Sequence, residues 1–273
     1  METIINYFET IPSSHRTIIL VSGLLLFWIL EGVIPISRLM YNKYRHAGVN
    51  LFFTLTTLVI NLGFAFLIVK GSDWTVANHL GLFQWIGGWP LGLRILIALL
   101  GMDLISAYLI HWIEHQVLWM WKFHVIHHSD TKVDTTTALR HHPGESVFRA
   151  SFTVLAVLLA GAPMWLVMIY QSLSAFSSQF NHANIRIPES VDRVLRLFLV
   201  TPAMHRVHHH YKQPLTDRNY GNIFSIWDRI FGTYAFIPPA DIVYGLDVFD
   251  KRESHLGDLL KVPVDKDSYR QKN

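Results

Sequence analysis

The sequence predicts an all-α integral membrane protein: a small bundle of three transmembrane spans plus a helical hairpin, with a histidine-rich cytoplasmic cap. Three observations support this fold class. Hydrophobic residues make up 51% of the 273 residues and charged residues only 16%, whereas soluble domains usually carry about 25% charged residues. Several apolar stretches approach the roughly 20 residues needed to cross a bilayer. There are 16 histidines, most of them between His111 and His210.

Apolar stretches predict the spans, at about residues 17–36, 51–69 and 91–110. A fourth apolar region, about residues 147–180, is too long for one span and short for two full ones. Because proline breaks a helix, we expect a tight hairpin there, with its turn at Pro163 in the sequence Gly-Ala-Pro. The N-terminal residues lack a basic region, so we expect no removable signal peptide.

Lysine and arginine predict the orientation. The loop after the first span holds Arg38, Lys43 and Arg45, whereas residues 71–90 hold neither lysine nor arginine. By the positive-inside rule the first loop is cytoplasmic and the second lies outside. The third span and the hairpin then both return the chain to the cytoplasm, so every crowded histidine falls on that side.

The chain is expected to form a single membrane domain, residues 1–273. Its cytoplasmic cap would comprise residues 111–146 and 182–264, with helices at about 191–200 and 224–231 and a loose tail at 265–273.

Three histidine clusters have helical spacing: one i, i+4 pair and two i, i+3, i+4 triplets. They are His111 and His115; His124, His127 and His128; and His205, His208 and His209. Residues three and four apart share a helix face, so each cluster presents its rings together on rigid backbone. With His182, where the hairpin ends, nine imidazoles are expected to converge.

This number indicates two metal ions. A tetrahedral zinc takes four ligands and an octahedral ion about six, so nine imidazoles are too many for one ion. The chain has no cysteine, which excludes disulfides, thiolate-bound zinc and iron–sulfur clusters. Imidazole binds iron, zinc, copper and nickel, so the ligands alone do not name the metal.

The remaining histidines are expected elsewhere. His141 and His142 lie outside the spacing pattern and are interpreted as loop residues or neighbours of the ligands, and His210 points about 100° away from His209 on a helix. Surface or interfacial positions are expected for four others: His15, His46, His79 and His255.

Several acidic residues are candidates for supporting roles. Ligand histidines commonly donate their second ring N–H to a carboxylate, and four carboxylates lie near the clusters: Glu114, Asp134, Glu145 and Asp228. Two more lie within apolar spans, where an ionisable group is a functional candidate. Asp103, two turns before His111, is expected to line a substrate route, and Glu31 is interpreted as interfacial.

At this point the sequence resembles the fatty acid hydroxylase/sterol desaturase superfamily. The resemblance covers roughly residues 103–247, and the first hundred residues match only in being hydrophobic. It rests on these segments: HWIEH (111–115), HVIHH (124–128), RHHPGES (140–146), FNHAN (180–184), HRVHH (205–209) and DRNYGNIFSIWDRIFGT (217–233).

Members of that family are membrane non-haem di-iron enzymes that use O₂ and two external electrons to hydroxylate or desaturate lipids. The resemblance therefore implies two iron ions, O₂ as co-substrate, and a membrane lipid such as a sterol, fatty acyl chain or alkylglycerol. It also implies an external electron donor, ferredoxin-like or cytochrome b5-like. The implied catalytic and metal-binding residues are His111, His115, His124, His127, His128, His182, His205, His208 and His209.

Some details of the site stay open. Some family members have an additional histidine pair in place of the single His182. Either His182 or the pair His141 and His142 could therefore complete the site. Residues expected to support the ligands from outside are His142, Glu145, Asp134, Asp228 and Asn184. The particular lipid, and hydroxylation as against desaturation, are not readable from the sequence.

Two other functions could use paired or clustered histidines in a membrane protein. A membrane metal transporter or sensor could use the same histidines, but a transporter would place ligands near the midplane of several spans. A haem-binding electron carrier would need isolated histidines on facing helices rather than consecutive pairs. The net charge of +3 is small, so no nucleic-acid partner is expected. A basic surface for an acidic redox partner or anionic headgroups is equally explained by positive-inside bias; it comprises Lys122, Lys132, Arg149, Arg186, Arg193 and Arg196.

Overall fold

The structure is a computed structural model that describes residues 2–38, 40–246 and 254–265. The described residues are helical and contain no β-strand, only isolated bridges. Their helices are α1 (Glu2–Glu9), α2 (Ser13–Val33), α3 (Lys43–Ala77), α4 (Leu82–Trp85), α5 (Leu91–Asp103), α6 (Ile110–Gln116), α7 (Leu118–His128), α8 (Pro143–Ala160), α9 (Met164–His182), α10 (Glu189–Leu195), α11 (Pro202–His208), α12 (Ile226–Ile230) and α13 (Leu256–Lys261).

Four helical stretches among the described residues are long and apolar enough to cross a membrane. They are Ser13–Val33, Lys43–Trp85, Leu91–Gln116 and Pro143–Ala160. The third stretch joins α5 to α6 through a π-helical segment, Leu104–Leu109. An all-helical, multi-pass membrane bundle is therefore the fold of this chain, as the hydrophobic pattern predicts.

Helix α3 is much longer than the expected 51–69. At 35 residues it measures about 53 Å, well beyond the roughly 30 Å hydrocarbon core. Its first turns are polar and make side-chain contacts with the cap: Asn50 donates to Thr136 Oγ1 (2.9 Å). Hydropathy marks only the apolar middle of this helix, because its polar start is stabilised by cap contacts.

The expected hairpin is present, formed by α8 and α9. Its turn contains Gly161 in the left-handed conformation (φ +60°), and Pro163 precedes the first turn of α9. A Cβ atom at Gly161 would overlap the carbonyl oxygen of Leu80. Glycine is therefore required there both by the backbone conformation and by the close approach of the α3–α4 connection.

At the other end of the bundle, the loops and short helices form a cap. Glu31, interpreted from sequence as interfacial, is buried. It joins three segments at this end, because it accepts from Lys43 Nζ (2.7 Å), Thr135 N (2.6 Å) and Asn184 N (2.8 Å). The two expected cap helices are present but shorter, as α10 and α12. Apart from Asp265, the expected tail lies outside the described residues.

Candidate metal centre

The structure brings all nine predicted histidines together, buried at the capped end of the bundle. They fall into two groups in which the nearest ring nitrogens all lie within 4.8 Å of one another. The five-histidine group is His111, His115, His124, His128 and His208. The four-histidine group is His127, His182, His205 and His209.

Helix geometry explains how each triplet serves both groups. His127 and His128 are consecutive on α7, so their side chains point about 100° apart, and they belong to different groups. His208 ends α11 and His209 is its C-cap, and these two are divided in the same way. The triplets therefore connect the groups side by side, and α6 and the end of α9 supply the remaining histidines.

Distances between ring nitrogens fit shared ions. His124 Nε2 lies 3.1 Å from His111 Nε2 and 3.2 Å from His128 Nε2. In the other group, His182 Nε2 lies 3.1 Å from Nε2 of both His127 and His205. Two nitrogens bound at about 2.1 Å and at right angles around one ion are separated by about 3.0 Å.

Hydrogen bonds fix which nitrogen carries the proton. His111 Nδ1 lies 2.9 Å from Tyr220 O, and His124 Nδ1 lies 2.8 Å from Glu145 Oε1. Because oxygens of this kind only accept, each Nδ1 carries the hydrogen and each Nε2 presents a lone pair. Two lone pairs facing each other at 3.1 Å repel unless a cation lies between them.

Three further Nδ1 atoms, the outer nitrogens of rings that direct Nε2 into a group, also lie beside oxygens. His115 Nδ1 lies 2.9 Å from Asp217 Oδ1, His208 Nδ1 lies 2.7 Å from Arg218 O, and His182 Nδ1 lies 2.7 Å from Ser178 O. Nε2 of His208 and of His209, one in each group, is buried without a hydrogen-bond partner among the described residues. These inward lone pairs fit metal ions.

Burial keeps the rings neutral, as ligation requires. It lowers the pKa of His124 to about 3, although Glu145 opposes the shift. Burial and neighbouring histidines hold the pKa of other rings well below 6.5, at His127, His128, His205, His208 and His209. Desolvation disfavours the imidazolium form, so each ring offers a lone pair at neutral pH.

Comparison with known proteins gives the family. A sequence model described as fatty acid hydroxylase matches residues 95–233, half of the chain, and all nine histidines lie within the match. The chain belongs to the fatty acid hydroxylase family.

Curated relatives in this family carry lipid-related names. The chain is 27% identical over 150 residues to an ornithine lipid hydroxylase of Rhizobium tropici, 55% of this chain and 44% of the relative. It is 31% identical to the alkylglycerol monooxygenase of Homo sapiens, over 55% of this chain and 32% of the relative. It is 27% identical to a cholesterol 25-hydroxylase-like protein of Danio rerio, over 46% of this chain and 49% of the relative. The match spans less than half the length of each relative. No solved structure matches the chain significantly.

Acidic residues lie beside the histidine groups. Glu145 accepts from His124, from His141 Nδ1 (2.8 Å) and from Arg149 Nε (2.9 Å). Arg149 also donates to Glu114 Oε2 (2.6 Å). The expectation that Arg149 belongs to a basic surface is therefore wrong, because its guanidinium group donates to two buried carboxyl groups.

Arg196 is a second correction to that surface. It lies largely buried against Asp192 (2.8 Å) and Glu189 (2.9 Å). Of the other basic residues in the expected surface, Arg186 and Arg193 are exposed, whereas Lys122 and Lys132 are partly buried.

Asp228 and His142 contact backbone segments that lie beside the histidine groups. Asp228 accepts from the backbone N–H of Tyr220 (2.8 Å) and Gly221 (2.9 Å), and so positions the Tyr220 carbonyl that meets His111. His142 caps the start of α8 by accepting from Gly144 N (3.0 Å).

Asn184 and Asp134 connect segments of the cap. Asn184 accepts from Arg206 (3.1 Å) and donates to Ser37 O (2.8 Å). Asp134 accepts from Thr136 N (2.8 Å) and lies 3.1 Å from His46 Nδ1.

Asp103 and His46 have other roles than the sequence indicates. Asp103, expected to line a substrate route, is fully buried and accepts from the N–H groups of Ile223 and Phe224 (both 3.2 Å) and the indole of Trp227 (3.1 Å). It therefore attaches the segment before α12 to the third span. His46, expected at the surface, has a largely buried side chain whose Nε2 lies 2.9 Å from Asp130.

The other histidines outside the groups mostly follow expectation. His15, His79 and His255 are exposed. His210 accepts from Val243 N (3.1 Å). His141 is partly buried and stacks on His127, with ring centroids 4.9 Å apart.

Sequence reasoning missed the acceptors of the outer nitrogens. Asp217 could have been found, because it begins the DRNYG segment that resembles the family. The carbonyls of Ser178, Arg218 and Tyr220 could not, because every residue has a carbonyl and the sequence does not show where it points.

Proposed function

We propose that this protein is a membrane di-iron oxygenase that hydroxylates a lipid, with the nine histidines as ligands of two iron ions. The observation that carries the proposal is the pair of adjacent, buried histidine groups. Within each group, Nε2 atoms of neighbouring rings face one another at 3.1–3.2 Å. Nine ring nitrogens are too many for a single ion and suit two.

Bound iron would activate O₂ for attack on an unactivated C–H bond, a reaction that acid–base side chains alone cannot perform. In hydroxylation, one oxygen atom of O₂ enters the C–H bond and the other leaves as water, with two electrons and two protons consumed. The chain's own residues have different tasks. Asp217, Glu145 and the carbonyl oxygens hold the ring N–H groups, which orients the ligands, and burial of the groups keeps bulk water away from the reaction.

A lipid is the substrate class that the surroundings favour. The histidine groups lie at one end of a membrane bundle, where a lipid can enter sideways from the adjoining leaflet. The names of the relatives concern an ornithine lipid and alkylglycerol, and cholesterol in a third case. We propose a sterol, fatty acyl chain or alkylglycerol, and the hydroxylase and monooxygenase names favour hydroxylation over desaturation.

The side of the membrane and the electron source are also proposals. Arg38, Lys43 and Arg45 precede or begin α3 at the histidine end, and the positive-inside rule places that end in the cytoplasm. Electrons would come from a separate ferredoxin-like or cytochrome b5-like protein. The exposed Arg186 gives an acidic donor a docking charge on that side.

Metal analysis and lipid analysis together test the proposal. Purified protein should contain iron at about two ions per chain, and cells with the protein should gain a lipid product that takes one ¹⁸O atom from ¹⁸O₂. The same cells carrying the His208→Ala variant serve as control and should lack the product. Metal transport into vesicles without any O₂-dependent lipid change would contradict the proposal and favour a transporter.

A further inference from the structure

An apolar patch lies on the cap, outside the four spans. It comprises side chains of α10, of the turn that follows it, and of α12: Val191, Val194, Leu197, Phe198, Ile226, Ile230 and Phe231. Phe198 is 67% exposed and Ile230 is 60% exposed. Soluble surfaces rarely gather this many large apolar side chains, which mark a surface that contacts another apolar phase.

Backbone hydrogen bonds bring the two segments that carry the patch together. Val200 N donates to Ile223 O (3.0 Å), and Ser225 N donates to Phe198 O (3.1 Å). The segment after α10 therefore runs beside the segment that leads into α12. Their exposed apolar side chains lie on adjoining pieces of chain.

The position of Asp103 indicates that this surface lies at the depth of the hydrocarbon core. Arg94 lies near the start of the third span, at the end of the bundle away from the histidines. A charged side chain is costly inside the hydrocarbon core, so Arg94 marks the edge of the core at that end. Asp103 lies nine residues further along the same helical stretch, about 14 Å at 1.5 Å per residue, and the core is about 30 Å thick. Asp103 is thus inside the core, and it binds the N–H groups of Ile223 and Phe224.

Non-helical backbone at that depth is tolerated where its polar groups are satisfied within the protein. The segment before α12 meets this condition: Asp103 accepts from two of its N–H groups, and Ser225 N and Ile223 O bond the neighbouring segment. Ile223 also belongs to the apolar core formed with Met102 and Tyr170. The segment is built into the membrane bundle.

We propose that this apolar patch is inserted into the leaflet at the histidine end and contacts lipid acyl chains. It continues the lipid-facing surface of the spans, so the cap is partly embedded in the bilayer. The charged side chains nearby are long enough to reach the interface: Arg193 is exposed, and Arg229 extends over the ring of Tyr234, 4.1 Å from its centroid. The inference does not depend on the proposed oxidation.

Spin labelling tests the insertion directly, because the chain has no cysteine. Phe198→Cys and Ile230→Cys are labelled with a nitroxide and reconstituted in phosphatidylcholine vesicles. Two matched controls are Leu62→Cys, exposed on the α3 span, and Lys212→Cys, exposed on the cap. O₂ concentrates in hydrocarbon and a nickel chelate in water, so the ratio of their collision rates reports depth.

Insertion predicts a ratio at Phe198 and Ile230 several-fold above that at Lys212 and close to that at Leu62. A ratio like that of Lys212 would overturn the proposal, because the patch would face water. Low accessibility to both reagents would also overturn it, since a protein partner or second copy would then cover the patch.

Unlabelled wild-type protein provides a second measurement that needs no variant. In vesicles of phosphatidylcholine with a diazirine in the acyl chain, photolysis should label peptides that contain residues 191–198 and 226–231. Labelling confined to the spans would contradict the insertion.

Discussion

The two histidine groups differ in how their outer ring nitrogens are held. In the five-histidine group, four Nδ1 atoms meet oxygens, namely those of His111, His115, His124 and His208. In the four-histidine group, His182 Nδ1 meets the Ser178 carbonyl. The Nδ1 atoms of His127, His205 and His209 have no hydrogen-bond partner among the described residues.

This difference indicates unequal preorganisation. An oxygen behind a ligand histidine fixes its tautomer, orients its ring and raises its basicity. The five-histidine group has this support on most of its rings. In the four-histidine group, His127 is instead oriented by ring packing against His141, His182 and His209. We therefore expect the five-histidine group to hold its ion with a more defined geometry, and the four-histidine group to depend more on the ion itself.

The largest expected effect is the loss of one ligand from either group. His208→Ala removes a ligand from the five-histidine group and His127→Ala one from the four-histidine group. Each should abolish lipid oxidation and lower bound metal from about two ions per chain toward one, measured by elemental analysis and product formation. His255→Ala is the control, because His255 is exposed outside both groups. Unchanged metal content in His208→Ala or His127→Ala, or loss of activity in His255→Ala, would show that the ligand assignment is wrong.

Loss of an outer oxygen should have the next largest effect. Asp217→Ala removes the acceptor of His115 Nδ1, and removing such a partner typically weakens metal binding or activity about 10–100-fold. Metal titration of the chelated protein should show this weakening in one of the two binding steps. Asp241→Ala, at an exposed cap position, should leave both steps unchanged. Equal weakening of both steps would mean that outer oxygens do not distinguish the groups.

Acid should destabilise the metal-free protein. The buried rings have pKa values below 6.5, so below pH 6.5 the unfolded chain binds protons that the folded chain does not. The contribution of these neutral rings to the free energy of unfolding is therefore fully present above pH 6.5. It decreases as the pH drops toward the folded pKa, which is about 3 for His124. Each such ring costs up to about 1.4 kcal/mol per pH unit. Thermal unfolding of the chelated protein in detergent measures the loss.

The acid response can be tested at one ring of each group. Burial is the largest cause that lowers the pKa of both His124 and His209. His124→Asn and His209→Asn should therefore each make the melting temperature less dependent on pH between about pH 5 and about pH 6.5 than it is in the wild type. A melting temperature that is constant between about pH 5 and about pH 7.5 in the wild type would contradict the neutral, buried rings.

Much of the site could be predicted because its information is local. Spacing of three and four residues determines which rings share a helix surface, so the members of each cluster could be read from the sequence. His182 and the convergence of the clusters were predicted from the orientation of the chain and from the resemblance to the family. The sequence did not show that consecutive histidines divide between two groups. That division follows from the 100° rotation per residue only once the two triplet helices are placed against each other.

Long-range contacts explain what could not be predicted. Asp103, Arg149 and His46 were misplaced because their partners lie 120, 35 and 84 residues away in the sequence. An ionisable residue in an apolar stretch indicates that a partner exists, but hydropathy does not identify the segment that folds back to supply it. For Asp103 that segment is the one before α12, deep in the bundle.

The smallest expected effect is at His141, beside the four-histidine group. Its ring stacks on His127, and its Nδ1 donates to Glu145, which keeps His124 and Arg149 as partners if His141 is lost. His141→Asn should therefore weaken metal binding by less than about tenfold, the equivalent of a hydrogen bond worth about 0.5–1.5 kcal/mol. His79→Asn is a matched control, since His79 is exposed with φ 54°, a conformation that asparagine tolerates. If His141→Asn cost as much as Asp217→Ala, the four-histidine group would also be held from outside, and the contrast between the groups would disappear.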